Sequence, residues 1–375
     1  MKKEEKVMKK FLALILVLSM AFSLAACASS SSTTSSDASA ASETSTEAET
    51  STEAETSTEA ETSTDVSSDT GVTLLTAEER AQQFITIATG PTSGVYYPVG
   101  GAFATALSDW GYKTSAEATN ASGANIQLIL DGDAEIAIAM QDAVMQAYTA
   151  TGAYEGCEPA TDLCSMMRLW PNYVQLVTTA DTGITSVEDL RGKRIGVGAA
   201  NSGVEINARM ILSAYGITYD DIEPDYLAYG EAIDNMKNGQ CDAVFVTSGL
   251  PNATVMELGV SYDMVVVPID GEGREKLVAD YPYFAETIIP AGTYNNTEDV
   301  EGVYVYNLLL VSKNLSDDMV YDILTGIFEN IDTIKASHNA ADKNIYLEAG
   351  VSDLQLPLHP GAAAFWSEKG YTQDN

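Results

Sequence analysis

Histidine and positive charge are both scarce in this chain of 375 residues. It has two histidines, 19 lysines and arginines, and 54 aspartates and glutamates, which give a formal net charge of −35. This balance disfavours a basic surface for the phosphate backbone of a nucleic acid. His338 and His359 have no cysteine or second histidine at ligand spacing, so no metal site is predicted.

Motifs for catalysis and for nucleotide binding are also missing. The sequence has no Gly-x-Ser-x-Gly elbow and no His-Glu-x-x-His, and neither histidine has the context of a catalytic triad. No Gly-Lys-Ser or Gly-Lys-Thr follows a glycine-rich loop, which disfavours a P-loop. We therefore predict no catalytic residue, no cofactor and no enzymatic activity.

No apolar run is long enough to span a bilayer comfortably. A lysine-rich segment precedes the apolar residues 11–24, and the run ends in Leu-Ala-Ala-Cys at residues 24–27. This order is typical of a lipoprotein signal peptide, predicted over residues 1–26, with acylation of Cys27. The expected location is extracytoplasmic, with the chain anchored to the outer face of the cell membrane.

Large apolar side chains are nearly absent between residues 28 and 71. This segment is built almost entirely of Ser, Thr, Ala, Glu and Asp, and the unit Ser-Thr-Glu-Ala-Glu-Thr repeats over residues 45–62. Because nothing there can offset the entropy of ordering the backbone, residues 27–80 are predicted to form a disordered tether.

Cysteine is limited to four residues, of which one is Cys27. Cys241 lies in an apolar run and is predicted to be buried in a strand. Cys157 and Cys164 are close in a loop-like stretch, so they could form a disulfide outside the cell or remain two free thiols.

The remaining sequence alternates short apolar runs with amphipathic stretches, which predicts an α/β protein with mainly parallel strands. Two halves show the same order of strand, glycine-containing loop and helix, and both have Ser-Gly-Val where the first helix opens. We predict a two-lobed, periplasmic-binding-protein-like (type II) fold. Lobe one would comprise residues 81–181 and 301–375, and lobe two residues 182–300, with the chain crossing near residues 178–182.

The loops at the carboxyl ends of these strands predict a ligand cleft between the lobes. Ser93-Gly94 and Ser202-Gly203 open helices, where unpaired backbone N–H groups attract anions, although each serine could simply cap its helix. Core packing is the alternative for Tyr96 and Tyr97, and turn formation is the alternative for Asn120 and Ser122. The predicted ligand-binding residues are Gly90, Ser93, Gly94, Tyr96, Tyr97, Asn120, Ser122, Asn125, Gln141, Asn201, Ser202, Gly203, Glu205, Arg209, Thr247, Ser248 and Gly249.

Arginine is the side chain best suited to bidentate recognition of a carboxylate. Arg209 lies two turns into the helix that follows Ser202, and Arg168 precedes the predicted crossing. Each is a candidate for contact with a ligand carboxylate, and a surface ion pair is the alternative for Arg209.

Several stretches resemble the TAXI family, the solute-binding subunits of one class of TRAP transporter. They are residues 85–90 (Ile-Thr-Ile-Ala-Thr-Gly), 93–101 (Ser-Gly-Val-Tyr-Tyr-Pro-Val-Gly-Gly), 189–194 (Asp-Leu-Arg-Gly-Lys-Arg), 202–205 (Ser-Gly-Val-Glu), 239–243 (Gly-Gln-Cys-Asp-Ala), 249–251 (Gly-Leu-Pro) and 358–362 (Leu-His-Pro-Gly-Ala). The resemblance implies capture of a small carboxylate, a glutamate-like amino acid or a dicarboxylate, and delivery to a TRAP permease by a monomer.

Three alternatives stay open. An ABC-type importer uses solute-binding proteins of similar shape, an extracellular enzyme could use the same cleft, and a surface adhesin or sensor could retain it without transport. A neighbouring ATPase gene would favour the first, turnover of a bound ligand the second, and the lack of any stabilising small molecule the third.

Overall fold

The computed structural model describes residues 71–373. All of these residues belong to one compact unit, which lies within Thr64–Asn375. The predicted signal peptide, the acylation site at Cys27 and most of the predicted tether therefore lie outside the described residues.

The folded unit begins before the predicted lobe boundary at residue 81. Thr76 caps helix α1 (Ala77–Gln82) in a reciprocal capping box with Glu79. Arg80 in this helix forms a 2.6 Å ion pair with the buried carboxylate of Asp322 near the C-terminus. Local capping and this long-range ion pair attach residues that the composition had placed in the tether.

Eleven further helices and ten strands follow within residues 71–373. The helices are α2 (Tyr96–Asp109), α3 (Ser122–Asp131), α4 (Gln141–Thr149), α5 (Gly203–Ala214), α6 (Tyr229–Lys237), α7 (Ala253–Ser261), α8 (Gly271–Asp280), α9 (Asp317–Glu329), α10 (Ile331–Ser337), α11 (Asn339–Asn344) and α12 (Pro360–Glu368). The strands are β1 (Phe84–Ala88), β2 (Lys113–Glu117), β3 (Ile136–Met140), β4 (Leu163–Thr179), β5 (Arg194–Gly196), β6 (Glu223–Asp225), β7 (Ala243–Ser248), β8 (Met264–Val267), β9 (Ala285–Ile289) and β10 (Val300–Ser312).

The strands order as β2-β1-β3-β10-β4-β7-β5-β6, with β8 beside β4 and β9 beside β10. Strands β1, β2 and β3 are parallel, as are β5, β6 and β7. The long strands β4 and β10 run antiparallel between these two groups. Each parallel group with its helices is one lobe, so the predicted α/β two-lobed fold is confirmed. The expectation of mainly parallel strands was wrong, because the strands that pair with β4 and β10 all run antiparallel to them.

Strands β4 and β10 carry the chain between the lobes. β4 pairs with β10 from Leu163 to Tyr173, and from Tyr173 to Thr178 it pairs with β7 of lobe two. The exchange of partners therefore falls at Tyr173, inside an unbroken strand. The lobe boundaries given above stay a prediction, because only the motion of the lobes defines where the rigid units divide.

Both central parallel strands are buried on both faces because helices cover each side of the sheet. Every residue of β3 and every residue of β7 is buried. Such strands appear in sequence as continuous apolar runs without alternation. The resulting rigid lobes hold the loops at the carboxyl ends of their strands in fixed positions.

The C-terminal helices pack on lobe one. Ser316 caps α9 by accepting a hydrogen bond from the Met319 N–H. The indole of Trp366 in α12 donates a 2.8 Å hydrogen bond to the Met166 carbonyl of β4. Within residues 71–373, no helix combines the length and the apolar character that crossing a membrane requires.

Candidate functional site

A cavity lies between the lobes, at the carboxyl ends of their parallel strands. It measures about 490 Å³ when the space open to solvent is counted. Its lining residues from the first lobe and β4 are Pro91, Gly94, Val95, Tyr96, Asn120, Ala121, Met140 and Asn172, and those from the second lobe are Gly198, Ala199, Ser202, Val204, Ala228, Tyr229, Thr247 and Ser248.

Four helices begin at this cavity. Their N-cap residues are Val95 for α2, Ala121 for α3, Ser202 for α5 and Ala228 for α6, and all four line it. Only Ser202 accepts a backbone hydrogen bond through its side chain, from the Glu205 N–H at 3.2 Å. The first turns of the other three helices have no such side-chain cap, so their unpaired N–H groups give the cavity a partial positive potential.

The two lobes touch around the cavity at glycines. A Cβ atom at Gly123 of α3 would overlap the carbonyl oxygen of Asn201, which lies just before α5. A Cβ atom at Gly203 would likewise overlap the Met140 side chain, and one at Gly94 would overlap the Tyr229 hydroxyl. Because these contacts leave no room for a side chain, glycine allows the lobes to close.

Six of the predicted ligand-binding residues line the cavity: Gly94, Tyr96, Asn120, Ser202, Thr247 and Ser248. The other eleven do not line the cavity: Gly90, Ser93, Tyr97, Ser122, Asn125, Gln141, Asn201, Gly203, Glu205, Arg209 and Gly249. A ligand role for any of these residues stays a prediction.

The polar side chains at the start of α3 mainly hold the loop between β2 and α3 in place. The Asn125 amide donates to the backbone carbonyls of Thr89 at 2.5 Å and Ile138 at 2.7 Å. Ser122 accepts a 3.1 Å hydrogen bond from the Met140 N–H. These contacts favour the structural alternative for both residues, whereas Asn120 is exposed to the cavity.

Tyr96 belongs to a buried hydrogen-bond network with residues of the paired strands β4 and β10. Its hydroxyl donates to the Asn307 side-chain carbonyl, which also accepts a 3.1 Å hydrogen bond from the Asn172 amide. The Trp170 indole donates to Asn172 at 3.1 Å. Burial raises the pKa of the Tyr96 hydroxyl, so the ring presents a neutral wall to the cavity.

Neither arginine candidate reaches this cavity. Arg209 forms a 2.5 Å ion pair with Glu205 one helical turn earlier, and the Tyr219 hydroxyl donates to the same carboxylate at 2.8 Å. Arg168 pairs with Asp353 and stacks over the Tyr306 ring at 4.1 Å. Both guanidinium groups therefore have carboxylate partners within the protein.

The other predicted polar residues have varied surroundings. Gln141 is buried and accepts a 3.1 Å hydrogen bond from the Gln355 N–H. Tyr97 is 39% exposed on the outer side of α2, and Gly90 packs against the Tyr96 ring. Ser93 lies beside Gly230 of lobe two.

Ten lining residues were not predicted from the sequence, among them Tyr229 and Asn172. Tyr229 opens α6 after β6, the position that Ser122 of α3 holds after β2 in lobe one, and this place at a helix start was a usable signal. Burial raises its pKa to about 12. Asn172 lies inside β4, where no local pattern marks a cavity.

The disulfide alternative for Cys157 and Cys164 is not realised. Both are free thiols, with Cys157 exposed in a loop and Cys164 buried in β4. Cys241 is buried, as predicted, but it lies just before β7 and not in a strand. Burial raises its pKa to about 11. Among residues 71–373, no group of three or more His, Cys, Asp or Glu side chains could hold a metal ion.

A family model described as the NMT1-like family matches residues 87–370. The chain belongs to this family. The match covers both lobes and corrects the resemblance given above: the family shown is the NMT1-like family, and the TAXI assignment was wrong. The short stretches that suggested TAXI lie mostly in strand–loop–helix junctions, where glycine and serine recur for reasons of backbone geometry.

Several solved structures are similar to this chain. They include the alkanesulfonate-binding protein SsuA from Xanthomonas axonopodis pv. citri bound to MOPS (13% identity, 68% of this chain and 72% of that chain, TM-score 0.41), PhnD1 from Prochlorococcus marinus in complex with methylphosphonate (10%, 69% and 88%, 0.45) and an ABC uptake transporter substrate-binding protein from Streptococcus pneumoniae with bound histidine (14%, 69% and 93%, 0.43). Identities this low give no basis for transferring a ligand.

Proposed function

We propose that this chain is the solute-binding protein of an ABC-type importer and captures a small carboxylate between its lobes. The observation that carries this proposal is the cavity itself, to which both lobes contribute lining residues. A ligand that contacts both lobes stabilises the closed form over the open one, and the importer would recognise this closed form.

The four helix starts support an anionic ligand. Each presents backbone N–H groups near the cavity, and the combined potential attracts a carboxylate without any basic side chain. Ser202 is the residue of choice for direct contact, because its hydroxyl accepts from Glu205 and keeps its own hydrogen for a ligand oxygen.

We assign the importer to the ABC type because the basis for a TRAP permease is lost. The TAXI assignment carried the expectation of a TRAP permease and of a glutamate-like or dicarboxylate ligand, and neither expectation is retained without it. The ABC-type importer was the other importer class open from the sequence. Copurification of a membrane permease together with an ATPase would support this assignment.

The extracytoplasmic location and the lipid anchor at Cys27 belong to the same proposal. Acylation of Cys27 would hold the binding unit near its permease through the acidic segment. Cys27→Ser is expected to move the chain from the detergent phase to the aqueous phase on phase partitioning. Retention of the variant in the detergent phase would count against acylation at this residue.

A thermal-shift screen of organic acids, amino acids, sugars and cations tests ligand capture. We expect stabilisation by a carboxylate, weaker stabilisation of Ser202→Ala, and the wild-type response in Arg209→Ala. Hits only among sugars or cations would remove the carboxylate. NMR of the ligand after incubation separates binding from an enzymatic role, because a solute-binding protein returns its ligand unchanged.

A further inference from the structure

The cavity between the lobes has no ionised side chain in its lining. Of its sixteen lining residues none is Asp, Glu, Lys, Arg or His, and the two tyrosines are buried neutral groups. The two arginine candidates are paired with Glu205 and Asp353. Positive potential in the cavity therefore comes from backbone N–H groups alone.

This charge distribution limits what a ligand can carry. A carboxylate at the helix starts is compensated by their N–H groups, but a second carboxylate at the other end of the ligand would face the apolar lining without a counterion. An ammonium group would be equally unpaired, since no lining side chain is acidic. The buried carboxylate of Asp142 does not line the cavity and accepts a hydrogen bond from Asn207.

The side chain of Thr247 is a second feature of the cavity that bears on the ligand. Its hydroxyl oxygen is buried and has no hydrogen-bond partner in the protein, and the residue, which lines the cavity, is only 4% exposed. Thr247 lies in β7, where pairing with Val174 of β4 fixes its backbone, and its branched side chain has few rotamers. A buried hydroxyl without a partner is costly, so a ligand atom that bonds to it contributes selectivity.

The rest of the lining is apolar. Pro91, Val95 and Met140 come from lobe one, and Val204 comes from lobe two. These side chains suit an alkyl body but offer nothing to a second polar end of a ligand.

Resting on the proposed function, we infer that the ligand is a small monocarboxylate with an apolar body and one uncharged polar group. The helix starts hold the carboxylate, the apolar side chains contact the body, and Thr247 bonds to the carbonyl or hydroxyl oxygen. Acidic amino acids, simple amino acids and dicarboxylates are poor ligands, because each brings a charge that the cavity leaves unpaired.

Four compounds with the same five-carbon skeleton test this selectivity by calorimetric titration of the full-length chain. They are 2-oxopentanoate, pentanoate, 2-oxopentanedioate and 2-aminopentanoate. We expect 2-oxopentanoate to bind at least about ten-fold more tightly than the dianion and the zwitterion, and about five-fold more tightly than pentanoate. Equal or tighter binding of the dianion or the zwitterion would overturn the inference and leave ligand capture intact.

Two variants of Thr247 separate its hydroxyl from its shape. Thr247→Val should lower the affinity for 2-oxopentanoate to that for pentanoate, and Thr247→Ser should keep the preference. Unfolding midpoints equal to that of the wild type confirm that the variants fold. An unchanged preference in Thr247→Val would refute the role of the hydroxyl, and the absence of binding by all four compounds would overturn both this inference and the proposed carboxylate ligand.

Discussion

The carboxylate of Asp142 in lobe one accepts a 2.6 Å hydrogen bond from the side-chain amide of Asn207 in lobe two, and neither residue is exposed to solvent. Asp142 opens α4 and Asn207 lies in α5, so this contact exists only while the lobes are together. The second carboxylate oxygen of Asp142 and the amide oxygen of Asn207 have no partner. The contact therefore joins the lobes and leaves a carboxylate incompletely satisfied.

Ligand affinity should increase as pH falls from about 7 towards 4. Burial raises the pKa of Asp142 from its ordinary 3.8 to about 7, although the nearby backbone N–H groups of Ala143 and Asp142 and the hydrogen bond from Asn207 partly oppose the shift. Opening the lobes lets water reach the carboxyl, so the closed form holds more protons in this window. Up to about ten-fold in affinity per pH unit is available there, and the affinity should be flat above the window. Titration calorimetry from pH 4 to pH 8 with a ligand fully ionised throughout measures this.

Asp142→Asn is the variant that isolates this carboxyl, since it keeps the shape and removes the titration. Its affinity profile should be flat between pH 4 and pH 8. Asp133→Asn, at an exposed carboxylate of the same lobe, should keep the wild-type profile. A pH-dependent Asp142→Asn would assign the effect to another group.

Gly123→Ala should block closure without harming the fold. The new Cβ would overlap a backbone carbonyl of the other lobe, at Asn201, which cannot rotate away as a side chain could. Within α3, alanine is intrinsically better than glycine by about 0.5–1 kcal/mol, so the free energy of unfolding without ligand should not fall. Affinity should drop at least about ten-fold, because closure is required for full contact.

Gly101→Ala in α2 is the matched control for this variant, because a Cβ there would meet no atom within 4 Å. Its affinity should equal that of the wild type. Small-angle scattering with saturating ligand should show Gly123→Ala more extended than the control. Equal affinities and equal radii of gyration for the two variants would mean that Gly123 does not limit closure.

Tyr96→Phe should destabilise the folded unit, whereas Tyr97→Phe should not. The Tyr96 hydroxyl is buried and donates to Asn307, while Tyr97 is 39% exposed. Losing a buried hydrogen bond of this kind costs about 1 kcal/mol. Urea denaturation of the two variants measures the difference, and identical midpoints would show that the network contributes no net stability.

Asp322→Asn should weaken the attachment of α1 and lower the free energy of unfolding by about 3 kcal/mol, since it leaves Arg80 without its carboxylate in a largely buried site. The Tyr112 hydroxyl also donates to Asp322, at 2.7 Å. Glu329→Gln, at an exposed carboxylate of the same helix, is the control and should change little. Equal stabilities would show that α1 is held mainly by other contacts.

Local signals in the sequence sufficed for the strand–loop–helix order of the two halves and for part of the cavity. Ser202 and Ser316 were recognisable as caps because a polar side chain before an apolar-periodic segment satisfies first-turn N–H groups within a few residues. The start of α1 was lost in the acidic composition around it, although Thr76 and Glu79 form a capping box. For Arg209 the structure shows the alternative that the sequence left open, an ion pair, which it forms with Glu205 one turn earlier in α5.

The sequence by itself determined the α/β alternation, the repetition of one strand–loop–helix plan, and the buried central strands, because periodicity and glycine placement act over a few residues. Only the tertiary structure decided that Asn172 and Thr247 face one cavity, that Gly123 meets Asn201, and that Asp142 meets Asn207. These pairs lie far apart along the chain and are brought together by β4, which pairs with β10 on one side of Tyr173 and with β7 of lobe two on the other. The pairing of long strands and the contact of two lobes are cooperative properties of the whole fold, and no short segment encodes them.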